Sequence, residues 1–138
     1  MPHKSSIPIY WRLRRHKYNL IGTKCHTCSA VFYPPRKLCT ECRRKGDLKE
    51  FKFSGKGEVL SYTVIHAAPE GFEKNSPYAV AIISLEEGTN ISAPIVGDPT
   101  KIQVGKKVRP IFRKIYEDNA DGLIHYGLKF EIVDSDKN

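Results

Sequence analysis

Four cysteines fall within eighteen residues, in the run CHTCSAVFYPPRKLCTEC, and the chain contains no others. They form two matched pairs, Cys25-x2-Cys28 and Cys39-x2-Cys42, separated by ten residues. A C-x2-C knuckle wraps two thiolates around one metal ion, and two knuckles joined by a short hairpin complete a tetrahedral four-sulfur shell. The gap is shorter than the roughly 15–20 residues of the usual double-knuckle signature, but it suffices for a hairpin. Two other fates fit these thiols less well. Disulfides are rare in a reducing compartment, and a thioredoxin-like pair needs a βαβ setting that this chain lacks. The expected occupant is a structural Zn²⁺ held by Cys25, Cys28, Cys39 and Cys42. Four thiolates leave no open position for a catalytic zinc. A ribbon of about 25 residues cannot build a core alone, and metal binding supplies the missing free energy.

Cations crowd these thiols: Lys24, Arg36, Lys37, Arg43, Arg44 and Lys45. The chain carries a net charge of +8, unevenly placed. Residues 1–50 hold 12 Lys/Arg against 3 Asp/Glu, a net of +9, whereas residues 51–138 hold 11 against 12, a net of −1. Four thiolates on one Zn²⁺ leave a local charge of −2, which accounts for about two or three of the six cations. Arg12, Arg14, Arg15 and Lys17 lie upstream, where metal compensation cannot explain them. The remainder reads as a docking surface for a phosphate-bearing molecule or an acidic partner, or as a solvated face with no partner.

The elements that must position these residues are mainly β. Residues 5–17 read as a short helix, with Ser6 as its cap and Pro8 in its first turn. YNLIGTK reads as a strand into the first knuckle, and AVFYPPR as a second strand ended by Pro34–Pro35. From Leu48 the pattern is all β, with a bulge or sharp bend at Gly55-Lys56-Gly57. YAVAIISL, ISAPIVG, KKVRPIFRKIY and LIHYGLKFEIV are further strands, and DPTKIQVG is a turn or short helix. Such strands predict a small closed five-stranded barrel, with a sandwich as the other architecture. The expected division is 1–47 for helix and ribbon and 48–138 for the barrel, with DSDKN as a frayed tail. No apolar run approaches the roughly 20 residues that span a bilayer, and the N-terminus lacks the apolar core of a secretory signal. A soluble, cytoplasmic protein with no membrane partner is expected.

The order of these motifs resembles a known family. An aromatic-rich helix (IYWRLRRHKYNL), C-x2-C, FYPPR and a second C-x2-C are followed by SGKGEVLSYTVIH, GFEKNSPYAVAIISLEEG, IVGDP and VGKKVRPIF. Over nearly its whole length the chain is similar to the zinc-ribbon plus OB-fold proteins associated with acyl-CoA metabolism. The resemblance implies a rubredoxin-like ribbon and a five-stranded OB-fold Greek-key barrel. It also implies a non-catalytic companion of thiolase-superfamily enzymes, such as thiolases and hydroxymethylglutaryl-CoA synthases. Such a companion binds the coenzyme A portion of an acyl-CoA and bridges enzyme subunits. The chain departs from the pattern in two places: Ser29 stands where members often have Gly, and its last strand reads GLKFEIV where many members finish with Phe-x-Pro.

With that role, Arg36, Lys37, Arg43, Arg44 and Lys45 become candidates for the phosphates, since arginine suits bidentate phosphate contact. Tyr33 beside Pro34–Pro35 offers a platform for adenine, although Phe32 and Tyr33 could equally pack ribbon against barrel. The pantetheine arm would pass the ribbon–barrel junction toward an active site in the partner. Tyr10, Trp11, Arg14 and Arg15 on the helix are the candidate partner contacts.

Intrinsic catalysis finds no support. No Gly-x-Ser-x-Gly elbow, H-E-x-x-H or P-loop occurs. His66 and His125 lie in strands with no designated carboxylate. Nucleic-acid binding is the alternative function, because zinc ribbons and OB folds both serve it. Against it, YAVAIISL and ISAPIVG carry one aromatic and no cation, where a single-strand groove needs both.

Overall fold

The computed structural model describes residues 7–118 and 120–133. The Ser6 cap and the DSDKN tail lie outside the described residues. The helix α1 runs Ile7–Asn19, two residues further than its expected end, so Tyr18 and Asn19 complete its last turn. Leu20 then stops it in a left-handed conformation, φ +52°. That conformation costs a leucine roughly 1–2 kcal/mol. Its side chain is buried in the core, a gain of about 1.5–3 kcal/mol that outweighs the strain.

The ribbon sheet consists of β1 (Ile21–Cys25), β2 (Val31–Phe32) and β3 (Leu48–Lys52), in the order β2-β1-β3. Here the structure departs from the expected organisation. The segment from Leu48, read as the opening of the barrel, pairs with β1 in five antiparallel positions from Ile21↔Lys52 to Cys25↔Leu48. The reason is edge satisfaction. β2 is two residues long and covers only one side of β1, so the other edge takes β3.

The barrel comprises β4 (Gly57–Ile65), β5 (Tyr78–Leu85), β6 (Asn90–Val96), β7 (Lys107–Glu117) and β8 (Ile124–Ile132). It closes in the order β4-β5-β6-β8-β7. The β6–β8 contact is parallel and the others antiparallel, which is the OB-fold arrangement rather than a sandwich. Ala79, Ala81, Ile83 and Leu85 alternate inward along β5 and meet Ile91, Ala93 and Ile95 of β6. Phe130 of β8 and Val108 of β7 fill the centre. DPTKIQVG contains a single 3-10 turn, Pro99–Lys101, capped by Asp98, whose carboxylate accepts from Thr100 N at 2.9 Å.

Ribbon and barrel join without a slack linker. Phe53 is buried in the barrel core, and its N–H donates to Leu20 O at 3.1 Å. The expected bend follows at Gly55, φ +79°, where Pro110 packs so closely that any side chain would collide with it. The Ser54 N–H donates to Glu87 Oε1 at 2.6 Å. The segment is held at both ends.

Candidate metal centre and adjoining cleft

The two knuckles fold alike. In each, the residue after the second cysteine donates its N–H to the first cysteine's carbonyl, Ser29 to Cys25 and Arg43 to Cys39, both at 2.9 Å. Both donors are left-handed, Ser29 at φ +63° and Arg43 at +52°. This conformation favours glycine. Thr27 clasps the knuckles together: its Oγ1 accepts from Asp47 N at 3.4 Å and donates to Lys45 O at 3.5 Å. Gly46 passes directly beneath the thiols, where a Cβ would stand 2.7 Å from Cys39 Cβ and 3.3 Å from Cys25 Sγ. No sequence pattern marked that glycine, because the constraint is a close approach between distant residues.

The four sulfur atoms lie within 4.8 Å of one another, with Cys28 and Cys39 Sγ 3.5 Å apart. Sulfurs around zinc at about 2.3 Å make a tetrahedron with edges of roughly 3.8 Å, so Cys25, Cys28, Cys39 and Cys42 fit one ion. The donor chemistry agrees. The N–H of Cys28, aided by that of Thr27, draws the Cys25 thiol down to about 6. Cys42 is pushed up to about 12, first by its hydrogen bond with Cys28 and then by burial. Thiols this close cannot all ionise unaided, and a central cation removes the conflict.

Around this centre Arg36, Lys37, Arg43, Arg44 and Lys45 are all exposed. None of them, nor Lys24, makes an ion pair among the described residues. The Arg36 N–H donates to Thr23 Oγ1 at 3.1 Å, which fixes the hairpin tip, and its guanidinium stands 5.4 Å from the Phe32 ring centre. Tyr33 is half-buried and meets Phe53 edge-on at 6.2 Å, so it packs ribbon to barrel.

Tyr33 also lines a cleft of about 320 Å³ where helix, ribbon and barrel meet. Tyr10, Lys17, Ile91, His125 and Leu128 form other parts of its wall. Tyr10 faces inward: its hydroxyl donates to Tyr126 O at 2.6 Å and accepts from Tyr18 at 3.0 Å. Burial, together with the Tyr18 hydroxyl, holds its pKa well above the usual tyrosine range. Trp11 is 61% exposed, with the Arg14 guanidinium 3.4 Å over its ring. Arg15 bonds Glu50 at 2.8 Å and ties the helix to β3.

One expectation needs correction. His125 has a carboxylate partner, because the β7–β8 hairpin returns the chain so that its Nε2 lies 2.8 Å from Asp118 Oδ2. The imidazole is 3% exposed, stacked on Tyr116 at 4.2 Å and capped by Tyr10 at 4.6 Å. The pairing was hidden because it depends on the register of a strand with a bulge between Lys114 and Tyr116.

Comparison with known proteins agrees with this geometry. Residues 17–48 match the ChsH2 rubredoxin-like zinc ribbon domain and residues 51–113 the ChsH2 C-terminal OB-fold domain. A DUF35 domain-containing scaffold protein of Methanocaldococcus jannaschii is 46% identical over 126 residues, covering 91% of this chain and 89% of that one. Its counterpart in Pyrococcus furiosus is 43% identical over 125 residues, 90% of each. A probable enoyl-CoA hydratase alpha subunit of Thermomonospora curvata is 34% identical over 72% of this chain but only 31% of its own. Among solved structures, the Ltp2-ChsH2(DUF35) aldolase superposes with a TM-score of 0.67 at 26% identity, covering 94% of this chain and 95% of that one. Four clustered thiols on a ribbon, a closed five-stranded barrel and these matches together make the chain a member of the DUF35 family, with a zinc ribbon and OB-fold of the ChsH2 kind.

Proposed function

We propose that this chain is a non-catalytic scaffold subunit of the cytoplasm that binds the coenzyme A portion of an acyl-CoA and associates with a thiolase-superfamily enzyme. The observation that carries the reading is the cleft of about 320 Å³ at the helix–ribbon–barrel junction, beside a ribbon whose Lys24, Arg36, Lys37, Arg43, Arg44 and Lys45 lack ion-pair partners among the described residues. That volume suits a slender arm rather than a whole cofactor. Coenzyme A carries a diphosphate and a 3′-phosphate, and Arg36, Arg43 and Arg44, with Lys37 and Lys45, would meet them from outside the cleft. The pantetheine then passes Tyr33 toward chemistry supplied by the partner.

The helix supplies the partner contact. Ile7, Ile9, Trp11 and Leu13 are all at least 40% exposed, and no residue of α1 is fully buried. Arg14 stiffens Trp11 from above, as suits an aromatic anchor. Scaffold relatives and a solved complex with Ltp2 are consistent with this role.

Calorimetric titration of acetoacetyl-CoA, with and without a thiolase-like partner, tests the assignment. Arg36→Ala combined with Arg43→Ala should weaken binding at least tenfold. Unchanged affinity in that double variant removes the ribbon as the phosphate site.

A further inference from the structure

Away from the cleft, one charge arrangement on the barrel is unbalanced. On the outer face of the β7–β8 pair, Arg109 stands opposite Glu131 and ion-pairs with it. On the next rung of that face Lys129 stands opposite Ile111, and on the rung beyond Arg113 stands opposite Gly127. Lys129 and Arg113 are therefore diagonal neighbours of like charge, a repulsive placement. Neither makes an ion pair or a side-chain hydrogen bond among the described residues. Lys129 is half-buried, and burial, with the Arg113 charge beside it, lowers its pKa. A fold that neutralises Arg109 on the neighbouring rung leaves these two without an ion-pair partner among the described residues.

Lys129 also forms part of a pocket of about 190 Å³, walled by Phe72, Tyr78, Pro94 and Val96, with Asn75 at its border. Phe72 comes from the loop between β4 and β5 and is braced by Tyr78 at 6.2 Å and Tyr116 at 5.9 Å. The pocket is too small for a cofactor-sized ligand and suits one flat ring. Its place, on the outer face of the third barrel strand beside that loop, is where OB folds commonly meet nucleotides. The outward residues of β5 and β6, among them Val80, Ile82, Ser92 and Pro94, carry no charge. A continuous strand of nucleic acid would have nothing to hold its backbone there.

We propose that this pocket binds a single nucleotide, its base laid against Phe72 and Tyr78 and its phosphate across Lys129 and Arg113. Two adjacent cations match a phosphate dianion better than a carboxylate, and arginine adds bidentate contact. The occupant is a free nucleotide, since the phosphates of coenzyme A are assigned to the ribbon cations. The site is distinct from the ribbon arginines, so it stands or fails independently of them.

The test is calorimetry on the full chain with AMP. Lys129→Met and Arg113→Ala should each weaken AMP binding at least tenfold, Lys129→Arg should restore most of it, and Arg36→Ala should leave it unchanged. Because Lys129→Met also removes a repulsion, the ligand-free variant should keep or raise its Tm, which separates lost binding from lost folding. Coenzyme A, held at the ribbon, should not displace AMP. Displacement of AMP by coenzyme A would overturn the assignment of this pocket to a free nucleotide. No heat with AMP, binding indifferent to Lys129 and Arg113, or binding of single-stranded oligonucleotide without AMP binding would each overturn it.

Discussion

At the scale of single residues, the metal centre is governed by backbone more than by ligands. Gly46 lies so close beneath Cys39 that the methyl of Gly46→Ala has no room. That variant should bind zinc at least tenfold more weakly in a chelator-competition assay while keeping all four thiols. Ser29 and Arg43 hold matching left-handed positions. Ser29→Gly relieves strain of roughly 1–2 kcal/mol but gives back part through a looser unfolded chain, so stability should rise by about 0.5–1 kcal/mol in denaturant titration. Arg43→Gly should show the same gain together with weaker anion binding, two effects of opposite sign in one substitution. The ligands themselves were legible because C-x2-C spacing encodes a local turn. Gly46, Thr27 and the Asp118–His125 pair were not, because each depends on residues brought together by folding.

At the scale of elements, ribbon and helix depend on different fastenings. The ribbon contributes Val31, Tyr33 and Phe51 to the margin of the barrel core, but its knuckles are ordered by the thiols. Removing the metal with a chelator, or Cys39→Ser, should abolish amide-exchange protection across residues 25–46 while β5 and β6 stay protected. Zinc competes with protons for the thiolates, so affinity should fall as pH is lowered, with protons released on binding at neutral pH. The helix is pinned to β8 chiefly through Tyr10. Tyr10→Phe removes the hydroxyl bond to Tyr126 and that to Tyr18, a loss of about 0.5–1.5 kcal/mol for each exchange with water, whereas Tyr10→Ala should undock the helix, seen as faster proteolysis within residues 7–19. Strand identity was readable from alternation, and the bend at Gly55 from its glycines. The pairing of β3 was not readable, since alternation says which face a strand buries and nothing about which edge it joins.

At the scale of the whole molecule, the charge division visible in the sequence becomes spatial: a cationic ribbon on one side and a nearly neutral barrel on the other. The exposed apolar side chains of α1 add a third surface. Trp11→Glu should abolish co-purification with a thiolase-like partner while leaving the Tm of the free chain within about 2 °C, as expected for a surface substitution. Retained co-purification would move the contact elsewhere.

Phe53 and the short path through Ser54 and Gly55 have a mechanical consequence. With one neighbour sunk in the core, the next bonded to Glu87 and the third wedged against Pro110, the ribbon has no swivel. Whatever grips it is presented at a set bearing and distance from whatever grips the barrel, as by a jig rather than a tether. Glycines inserted after Lys52 should leave both halves folded yet abolish any handover that relies on that fixed bearing.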